Sequence, residues 1–552
     1  MRTPRHSVIG LVVLALLLVA CSTPAAQGTP AATAGPADLQ AAEASPVAQL
    51  AASGTDTASG PATNIPLKDA LGSLEPKDVF QNFYDITQIP RPSGTMDQIR
   101  AFLVNFGQGL GLETMVDEAG NVLIRRPAAA GMENRQGVVL QAHMDMVAQA
   151  ADGKAFDPNT DPIQAFVNGD YVVADGTTLG ADDGSGIAMI MAVLQSKTLQ
   201  SGPLEALFTV DEESTMSGAD GLKGDLLQGT ILINLDSEDE GVFTIGSAGG
   251  EHVNIVSSYP QVAAPADMPS YLVKVQGLTG GHSGLHINLG RGHAIKLLVR
   301  LLKGAVEPYG LRLASIAGGT AVNAIPREAS ALVFLPDTQV EAFSAYVRAY
   351  EATIQSELAA VEPDLSVELA AVQPPAQVMD ERFQAVLIDA LYANPQGVVR
   401  MSDAVPSLVE TSNNLGIVNV QDGQMQVICF SRSSVGSALE DISQMIACTW
   451  ELAGYTTEVT DSFAAWTPNA SSPILSLMKA TYLDLFGQEP GIMAVHAGLE
   501  CGSISGKYPD MDMISIGPTL AGVHSLQESL FIPSVGKVMA LLYEVLQRIP
   551  EK

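Results

Sequence analysis

Five side chains in this 552-residue sequence carry the donor atoms that divalent first-row metals prefer. They are two imidazoles and three carboxylates, a set that suits zinc or a related ion without any thiolate. The five residues are His143, Asp182, Glu213, Asp236 and His524. One tetrahedral ion cannot use five ligands, whereas two ions that share one bridging Asp each receive three and keep positions open for water and substrate. The set therefore favours a paired-metal hydrolytic site.

A further carboxylate, Glu212, lies next to the proposed ligand Glu213. In an extended segment adjacent side chains point to opposite sides, so one of the two can hold a metal while the other meets the bound water. We therefore predict that Glu212 is the general base.

Each of these motifs is weak evidence when it stands alone. A strand-end His-x-Asp more often caps the chain locally, a Glu-Glu pair is usually solvated surface, and the Gly-Ala-Asp-Asp-Gly of residues 180–184 is compatible with a simple turn. These motifs and the Asp-Ser-Glu of residues 236–238 occur together and in order. Chance is a poor explanation of that combination.

Short apolar runs precede the polar clusters, and this pattern indicates the strands of an α/β fold. The runs are residues 138–141, 206–210, 231–235 and 513–516. They are followed by His143-Met144-Asp145, by Asp211-Glu212-Glu213, by Asp236, and by a loop that leads to His524. Ligands of open α/β sheets bind outside the carboxyl ends of the strands, so we expect the clusters to share one crevice.

The motifs, taken in order, resemble those of the aminoacyl-histidine dipeptidases, a family of exopeptidases with two zinc ions. The matching segments are Gln-Ala-His-Met-Asp-Met (141–146), Thr-Thr-Leu-Gly-Ala-Asp-Asp-Gly (177–184), Asp-Glu-Glu (211–213), Ile-Asn-Leu-Asp-Ser-Glu (233–238), His-Ala-Gly-Leu-Glu-Cys-Gly (496–502) and Ser-Ile-Gly-Pro (515–518). The resemblance runs from about residue 67 to about residue 549. It implies a catalytic domain with a mostly parallel central sheet, an inserted α+β lid domain, two zinc ions that Co or Mn could replace, and hydrolysis of Xaa-His dipeptides with broad tolerance.

The resemblance also implies a role for each proposed ligand. Asp182 would bridge the two metals, His143 and Asp236 would complete one, and Glu213 and His524 the other. Asp145 would orient His143 from the outer shell, and Glu212 would activate the bridging water. The peptide between Asp182 and Asp183 is often cis in such sites. Asp183 departs from close relatives, which often have Asn there, and it would add a negative charge near the metals.

Residues 249–461 lack metal motifs and fit the inserted lid, which in relatives also forms a homodimer. Gly-Gly-His-Ser-Gly (280–284) and Gly-Gly-Thr-Ala-Val-Asn-Ala-Ile-Pro (318–326) resemble lid motifs whose His282 and Asn323 help bind the substrate carbonyl or the oxyanion. Arg432 resembles the clamp for the substrate's C-terminal carboxylate, a task that suits a planar two-pronged donor. From the residues alone, His282 could be only a turn residue and Arg432 only a solvated strand charge. His496 is a weaker ligand candidate than His524.

The N-terminus predicts export and a lipid anchor. Arg2 and Arg5 precede an apolar run at residues 9–20, and Leu-Val-Ala-Cys at 18–21 resembles a lipobox that would leave Cys21 acylated. An ordinary signal peptide or a signal anchor is the alternative. We therefore expect a signal peptide at 1–20, an Ala/Pro-rich disordered tether at 21–66, a catalytic domain at 67–248 and 462–552, and a lid at 249–461, held at the bacterial cell envelope outside the cytoplasm.

Composition excludes several other functions. A formal charge of −32 with a pI near 4.4 argues against nucleic-acid partners, because their phosphates would repel the chain. Without Cys21 three cysteines remain, with no CxxC pair, so neither a disulfide framework nor a thiolate zinc site is expected. The expected partners are a small peptide, a second copy of the chain, and the membrane only through the lipid. The alternatives are another exopeptidase or an acyl-amino-acid amidohydrolase of the same group, or a non-catalytic peptide-binding lipoprotein, against which the presence of Glu212 argues.

Overall fold

A computed structural model describes residues 64–552 of the chain. The predicted signal peptide, Cys21 and nearly all of the predicted tether lie outside the described residues. Within 64–552, none of the helices combines the length and the apolar character needed to cross a bilayer.

An eight-stranded mixed sheet forms the centre of the first part of the fold. In sheet order its strands are Glu113–Val116, Val122–Arg126, Leu204–Thr209, Val138–His143, Ile231–Asn234, Asp512–Ser515, Val242–Ser247 and Gly491–Val495. Four of the seven neighbouring pairs are parallel, and three of these join the four middle strands. All four strands predicted from apolar runs are present, and the fold class, α/β with a mostly parallel central sheet, is confirmed.

The middle strands lie between helices and are buried on both faces. Every residue of Val138–His143 and of Leu204–Thr209 is buried, as expected for parallel strands covered on both sides. The helix Ala181–Gln195 packs against Val138–His143 and against the helix Lys77–Thr87, and it is apolar almost all round. This packing holds the start of that helix, where Asp182 lies, against the end of the strand that carries His143.

A nine-stranded antiparallel sheet, with its own apolar core, forms the second part of the fold. In sheet order its strands are Ser366–Ala371, Ser270–Gln276, Ala329–Phe334, Arg312–Gly318, Val409–Gln421, Gln424–Ser433, Gly249–Ser258 and Glu458–Phe463, with Gly397–Met401 pairing beside Val409–Gln421. The described residues belong to one compact unit by their contacts. The boundaries of the catalytic and lid domains therefore stay a prediction.

Three small sheets carry loops. One contains Ile65–Pro66, Ala165–Asn168, Tyr171–Ala174, Ser529–Phe531 and Leu520–Ala521, and the others pair Gln261–Ala263 with Gln377–Met379 and Gly281–His282 with Ala324–Ile325. The first of these sheets brackets the loop that contains His524. The last holds His282 beside the turn that contains Asn323.

Helices surround both large sheets. The α-helices are Leu67–Ala70, Lys77–Thr87, Asp97–Gly109, Ala181–Gln195, Ser217–Gly221, Ala294–Tyr309, Val340–Glu357, Glu381–Ala393, Gly436–Leu452, Pro473–Phe486, Glu500–Lys507 and Ile532–Arg548, with short 3₁₀ turns at Leu71–Ser73 and Asp337–Gln339. Those between residues 294 and 452 contribute to the core of the second sheet. The α+β character predicted for the inserted segment is therefore present.

Candidate active site

The four polar clusters that follow the predicted strands meet at one edge of the central sheet. His143 ends its strand, and Asp236 comes two residues after Ile231–Asn234. Parallel strands end at the same edge of a sheet, which brings these residues together. The loop between Leu520–Ala521 and Ser529–Phe531 brings His524 to the same place.

The five proposed ligands form one connected cluster. His143 Nε2 lies 2.9 Å from Asp182 Oδ1 and 3.3 Å from Asp236 Oδ1. His524 Nε2 lies 3.2 Å from Asp182 Oδ2 and 2.7 Å from Glu213 Oε1. The two oxygens of Asp182 therefore approach two different imidazoles, which is the position that a bridging carboxylate requires. Metal ligation by these residues stays a prediction.

Both imidazoles hold their protons tightly in this arrangement. Hydrogen bonds to Asp182 and Glu213 raise the pKa of His524 to about 10. Burial opposes protonation of His143, but the charge of Asp236 and hydrogen bonds to the surrounding carboxylates raise the pKa of His143 well above its usual value. The cluster therefore stabilises positive charge strongly at two neighbouring positions.

Asp145 lies under His143, as its predicted orienting role requires. Its Oδ1 is 3.4 Å from His143 Nδ1, an ion-pair distance that is longer than a good hydrogen bond. The carboxylate is fully buried and accepts the backbone N–H groups of Glu212 and Glu213 and the hydroxyl of Ser93. Although burial opposes it, the nearby His143 imidazole and the hydrogen bond from Ser93 lower the pKa of Asp145. This carboxylate therefore connects the His143 loop to the Glu-Glu segment.

The extended conformation assumed for Glu212 and Glu213 is wrong. The strand ends at Thr209, Asp211 adopts a positive φ of 55°, and its carbonyl accepts the N–H groups of Thr215 and Met216, so the two glutamates lie in a turn. The alternation of side chains along a strand therefore does not explain how Glu213 could bind a metal while Glu212 acts as the base. The backbone N–H groups of both glutamates instead donate hydrogen bonds to the Asp145 carboxylate.

The carboxyl of Glu212 binds a proton more tightly than that of an exposed glutamate. Burial is the main cause that raises the pKa of Glu212 to about 8. The negative charges of Glu500 and Glu213 act in the same direction. Proton transfer is most effective when the pKa of the base lies near the operating pH.

Asp183 differs from the expectation of an added negative charge. It is buried, and its Oδ1 accepts the N–H of Gly186 at 3.0 Å. Burial, and then the charge of Asp236, raise the pKa of the Asp183 carboxyl well above its usual value. The side chain therefore contributes less negative charge than its identity suggests. The peptide between Asp182 and Asp183 is cis, as expected.

His282 is arranged as a neutral hydrogen-bond donor. Its Nδ1 accepts the N–H groups of Gly284 and Leu285, at 3.2 and 3.1 Å, so the proton resides on Nε2. Burial, with the charge of Arg432, lowers the pKa of His282 to about 4. Asn323 is exposed nearby, and its backbone carbonyl accepts the N–H of Ser283.

Arg432 is a buried cation without an anion. It is 5% exposed, its guanidinium lies 4.1 Å from the centre of the Phe430 ring, and it makes no side-chain hydrogen bond within residues 64–552. His496 is close to it: burial and then the Arg432 charge lower the pKa of His496 to about 3, and His496 Nε2 lies 2.7 Å from Ser412 Oγ. The solvated strand charge considered for Arg432 is thus wrong.

The lid residues and the ligand cluster form two separate groups. In the described part of the chain, no hydrogen bond or ion pair joins His282, Asn323 or Arg432 to the five proposed ligands. His496 lies with the lid group and is not in the ligand cluster. A substrate that contacts both groups would have to bridge them.

Three buried ionisable residues around the cluster were not predicted as site residues from the sequence. Arg91 and Glu528 contact the loops that carry the ligands, and Glu500 lies beneath them, accepting hydrogen bonds from Gln141 and Thr209 at 2.6 Å each. Glu500 was visible within the His-Ala-Gly-Leu-Glu-Cys-Gly motif. Arg91 and Glu528 gave no signal, because their partners are mainly backbone groups far away in sequence.

A cavity of about 1070 Å³ lies away from this cluster. Leu204 and Ile231, the first residues of two parallel strands, line it. It therefore opens at the sheet edge opposite the candidate site, and none of the proposed ligands contributes to its wall.

Comparisons with known proteins agree with this geometry. The model of peptidase family M20/M25/M40 matches residues 139–548. The cytosol non-specific dipeptidase of Escherichia coli (strain K12) is 42% identical over 482 residues, which cover 87% of this chain and 99% of that protein. The crystal structure of aminoacylhistidine dipeptidase from Vibrio alginolyticus is 40% identical, with a TM-score of 0.83, and the match covers 87% of this chain and 98% of that one. Aminopeptidase PepT from Bacillus cereus, at 15% identity and a TM-score of 0.50 over 86% of this chain and 99% of that one, shares the fold alone.

Proposed function

This chain belongs to peptidase family M20/M25/M40, and from that premise we infer that it is a metal-dependent dipeptidase. The finer proposal is that it cleaves Xaa-His dipeptides with broad tolerance for the first residue. The Vibrio relative is named for aminoacyl-histidine substrates and the Escherichia coli relative for non-specific dipeptide cleavage, and the proposal joins the two. The observation that supports metal-dependent hydrolysis is the cluster of two histidines and three carboxylates.

The cluster fits two divalent metal ions, which we propose are zinc, with Co or Mn as possible substitutes. It offers nitrogen and oxygen donors only, and the two oxygens of Asp182 each face a different imidazole. His143, Asp182 and Asp236 would hold one ion, and Asp182, Glu213 and His524 the other. Bound there, the ions would polarise the scissile carbonyl and lower the pKa of a nearby water.

Glu212 supplies the proton-transfer step. Its backbone N–H is bound to Asp145 Oδ1 at 3.0 Å, which fixes the residue beside the cluster, while its carboxyl makes no hydrogen bond to any group of the described chain. A carboxylate with a pKa of about 8 can accept a proton from the attacking water and return it to the leaving amine.

The lid group binds the substrate. His282 Nε2 donates a hydrogen bond to the carbonyl oxygen as negative charge develops on it, and the Asn323 side chain assists. Arg432 pairs with the C-terminal carboxylate, because a buried guanidinium without an acceptor leaves a strong demand for an anion. Such an arrangement reads the free C-terminus of the substrate and so favours exopeptidase substrates over amidated ones.

A substrate panel tests the proposal. The metal-loaded protein should hydrolyse β-alanyl-histidine and glycyl-histidine, should accept other dipeptides, and should leave tripeptides and N-acetyl amino acids nearly intact. Faster turnover of tripeptides or N-acetyl amino acids would assign the chain to another activity of the same group. Tight binding of dipeptides without any turnover would favour a peptide-binding protein.

We also propose that the chain is a lipid-anchored protein of the cell envelope and a homodimer through its lid. The anchor proposal depends on the lipobox-like Leu-Val-Ala-Cys at residues 18–21. The dimer proposal is supported by the edge strand Gly397–Met401, where Val398, Val399 and Met401 are exposed, since open apolar edges favour association. A light-scattering mass of one chain in solution would contradict the dimer.

A further inference from the structure

Two buried residues of opposite charge, Arg91 and Glu528, lie where three ligand-bearing loops meet. They are only 2% and 4% exposed. Neither belongs to the ligand cluster. Their hydrogen bonds go mainly to backbone groups of the loops that carry His143 and Asp182.

Glu528 binds the backbone of the turn that leads into the helix Ala181–Gln195, where Asp182 and Asp183 have non-helical dihedral angles. Its Oε2 accepts the N–H groups of Leu179 and Gly180 at 2.8 and 3.0 Å, and its Oε1 accepts those of Ala181 and Asp182 at 2.7 and 3.4 Å. Gly180, the N-cap residue of Ala181–Gln195, provides no side-chain cap of its own. A carboxylate from a segment about 350 residues later therefore satisfies four consecutive backbone N–H groups of this buried turn.

Arg91 joins this loop to the one that follows His143. Its Nη1 donates to the carbonyls of Met144 and Asp145, at 3.0 and 2.6 Å, and its Nη2 donates to the carbonyl of Gly180. Burial lowers the pKa of Arg91, and the charge of Glu528 is the largest effect in the opposite direction. The opposite charges of Arg91 and Glu528 thus compensate each other. Both residues also bind the backbone of Gly180.

Together the contacts connect all three loops. Glu528 lies four residues after His524, so its grip on residues 179–182 fixes His524 relative to Asp182. Arg91 fixes Asp182 relative to His143. We propose that Arg91 and Glu528 are a positioning pair that sets the spacing of the two imidazoles about the bridging carboxylate. This inference depends on the proposed metal centre.

The test compares Glu528→Gln with a matched control, Glu205→Gln. A glutamine at 528 would turn an amide N–H₂ toward one pair of backbone N–H groups and would leave Arg91 without its counter-charge. Glu205 is also a buried carboxylate, accepts the N–H groups of Gln228 and Gly229, and pairs with Arg125, but it lies in the central sheet at the edge opposite the candidate site. Both variants should lower the melting temperature of the metal-free protein.

Metal affinity separates the two variants. Competition with a chelator, on protein shown to be folded by circular dichroism, should give zinc binding about 10- to 100-fold weaker in Glu528→Gln and unchanged in Glu205→Gln. Arg91→Lys, which keeps the charge but not the fork, should weaken binding in the same direction and carries the test if Glu528→Gln does not fold. Parental affinity in the folded variants, or an equal loss in Glu205→Gln, would overturn the inference. Failure of the parent itself to bind zinc would instead overturn the proposed metal centre.

Discussion

For Glu212, the effect of a substitution on turnover can be separated from its effect on metal binding. Glu212→Gln should keep both metals, because the side chain is not a proposed ligand, and should lower kcat roughly a hundredfold or more by removing the base. Metal analysis and steady-state kinetics on glycyl-histidine measure the two effects. Glu213→Gln is the contrast, since it should lose metal content. Parental turnover in Glu212→Gln would remove the base assignment.

Arg432 tests how the substrate is measured. Arg432→Ala should raise KM strongly for free dipeptides, while dipeptides with a C-terminal amide, already poor substrates of the parent, should lose little more. Arg312→Ala is a matched control, because Arg312 lies in the same sheet but is paired with Glu381 and the Met379 carbonyl. Equal losses on both substrates would show that Arg432 supports the fold or the dimer.

The side chains that cluster at the site could be predicted from the sequence, but the residues that fix their positions could not. Four of the five proposed ligands were recognisable because they follow apolar runs that end at one sheet edge, and Asp182 was recognisable within the Gly-Ala-Asp-Asp-Gly motif. Arg91 and Glu528 were not, since they recognise backbone groups, whose positions no residue pattern reports. The extended geometry assumed for Glu212 failed because the positive φ of Asp211 turns the chain, and an Asp at the end of a strand does not announce that conformation.

Among the secondary-structure elements, the buried parallel strands fix the relative positions of the proposed ligands. Val138–His143 and Ile231–Asn234 are parallel neighbours in register, so His143 and Asp236 emerge at matching heights. These strands were predictable because strands buried on both faces are continuous apolar runs. The nine-stranded order of the second sheet was not, since antiparallel pairing between distant strands leaves no local signature.

The helix Glu500–Lys507 brings a buried acid under the site and gives the fold a pH dependence. Burial raises the pKa of Glu500 to about 8 from the ordinary value of 4.5, so the folded chain keeps a proton that the unfolded chain loses. Stability therefore falls as pH rises from about 4.5 to about 8. Glu500→Gln should flatten this loss, by on the order of a few kcal/mol, in urea unfolding of the metal-free protein at pH 5 and pH 8. An unchanged pH dependence would contradict a buried neutral acid.

At the scale of the whole molecule, the two large sheets divide the work. The edge of the eight-stranded sheet and the loops beside it carry the proposed ligands, the nine-stranded sheet carries Arg432, and the small sheet of Gly281–His282 and Ala324–Ile325 carries His282. Gly284 lies so close to the carbonyl of His496 that a side chain there would collide, and Ser412 bonds the His496 ring. These contacts connect the two sheets beside the substrate groups, so the site is complete only when both parts are in place.

The anchor also belongs to the whole molecule. Cys21→Ser should release an active soluble protein, because the lipid and not the fold would hold it to the membrane. Fractionation with a salt wash and a dipeptide assay measures both properties. Cys448→Ser, at an exposed cysteine, should remain membrane-bound. A Cys21→Ser protein that stays with the membrane would contradict the lipobox interpretation.

The central claim is that two metal ions in one five-ligand cluster make this chain a dipeptidase. Its most direct test is to remove metal with a chelator and to titrate zinc back while following both bound metal and hydrolysis of glycyl-histidine. The metal-free protein should be inactive, and activity should rise to a plateau at two equivalents of zinc per chain. Full activity without metal, or a plateau at one equivalent, would contradict it.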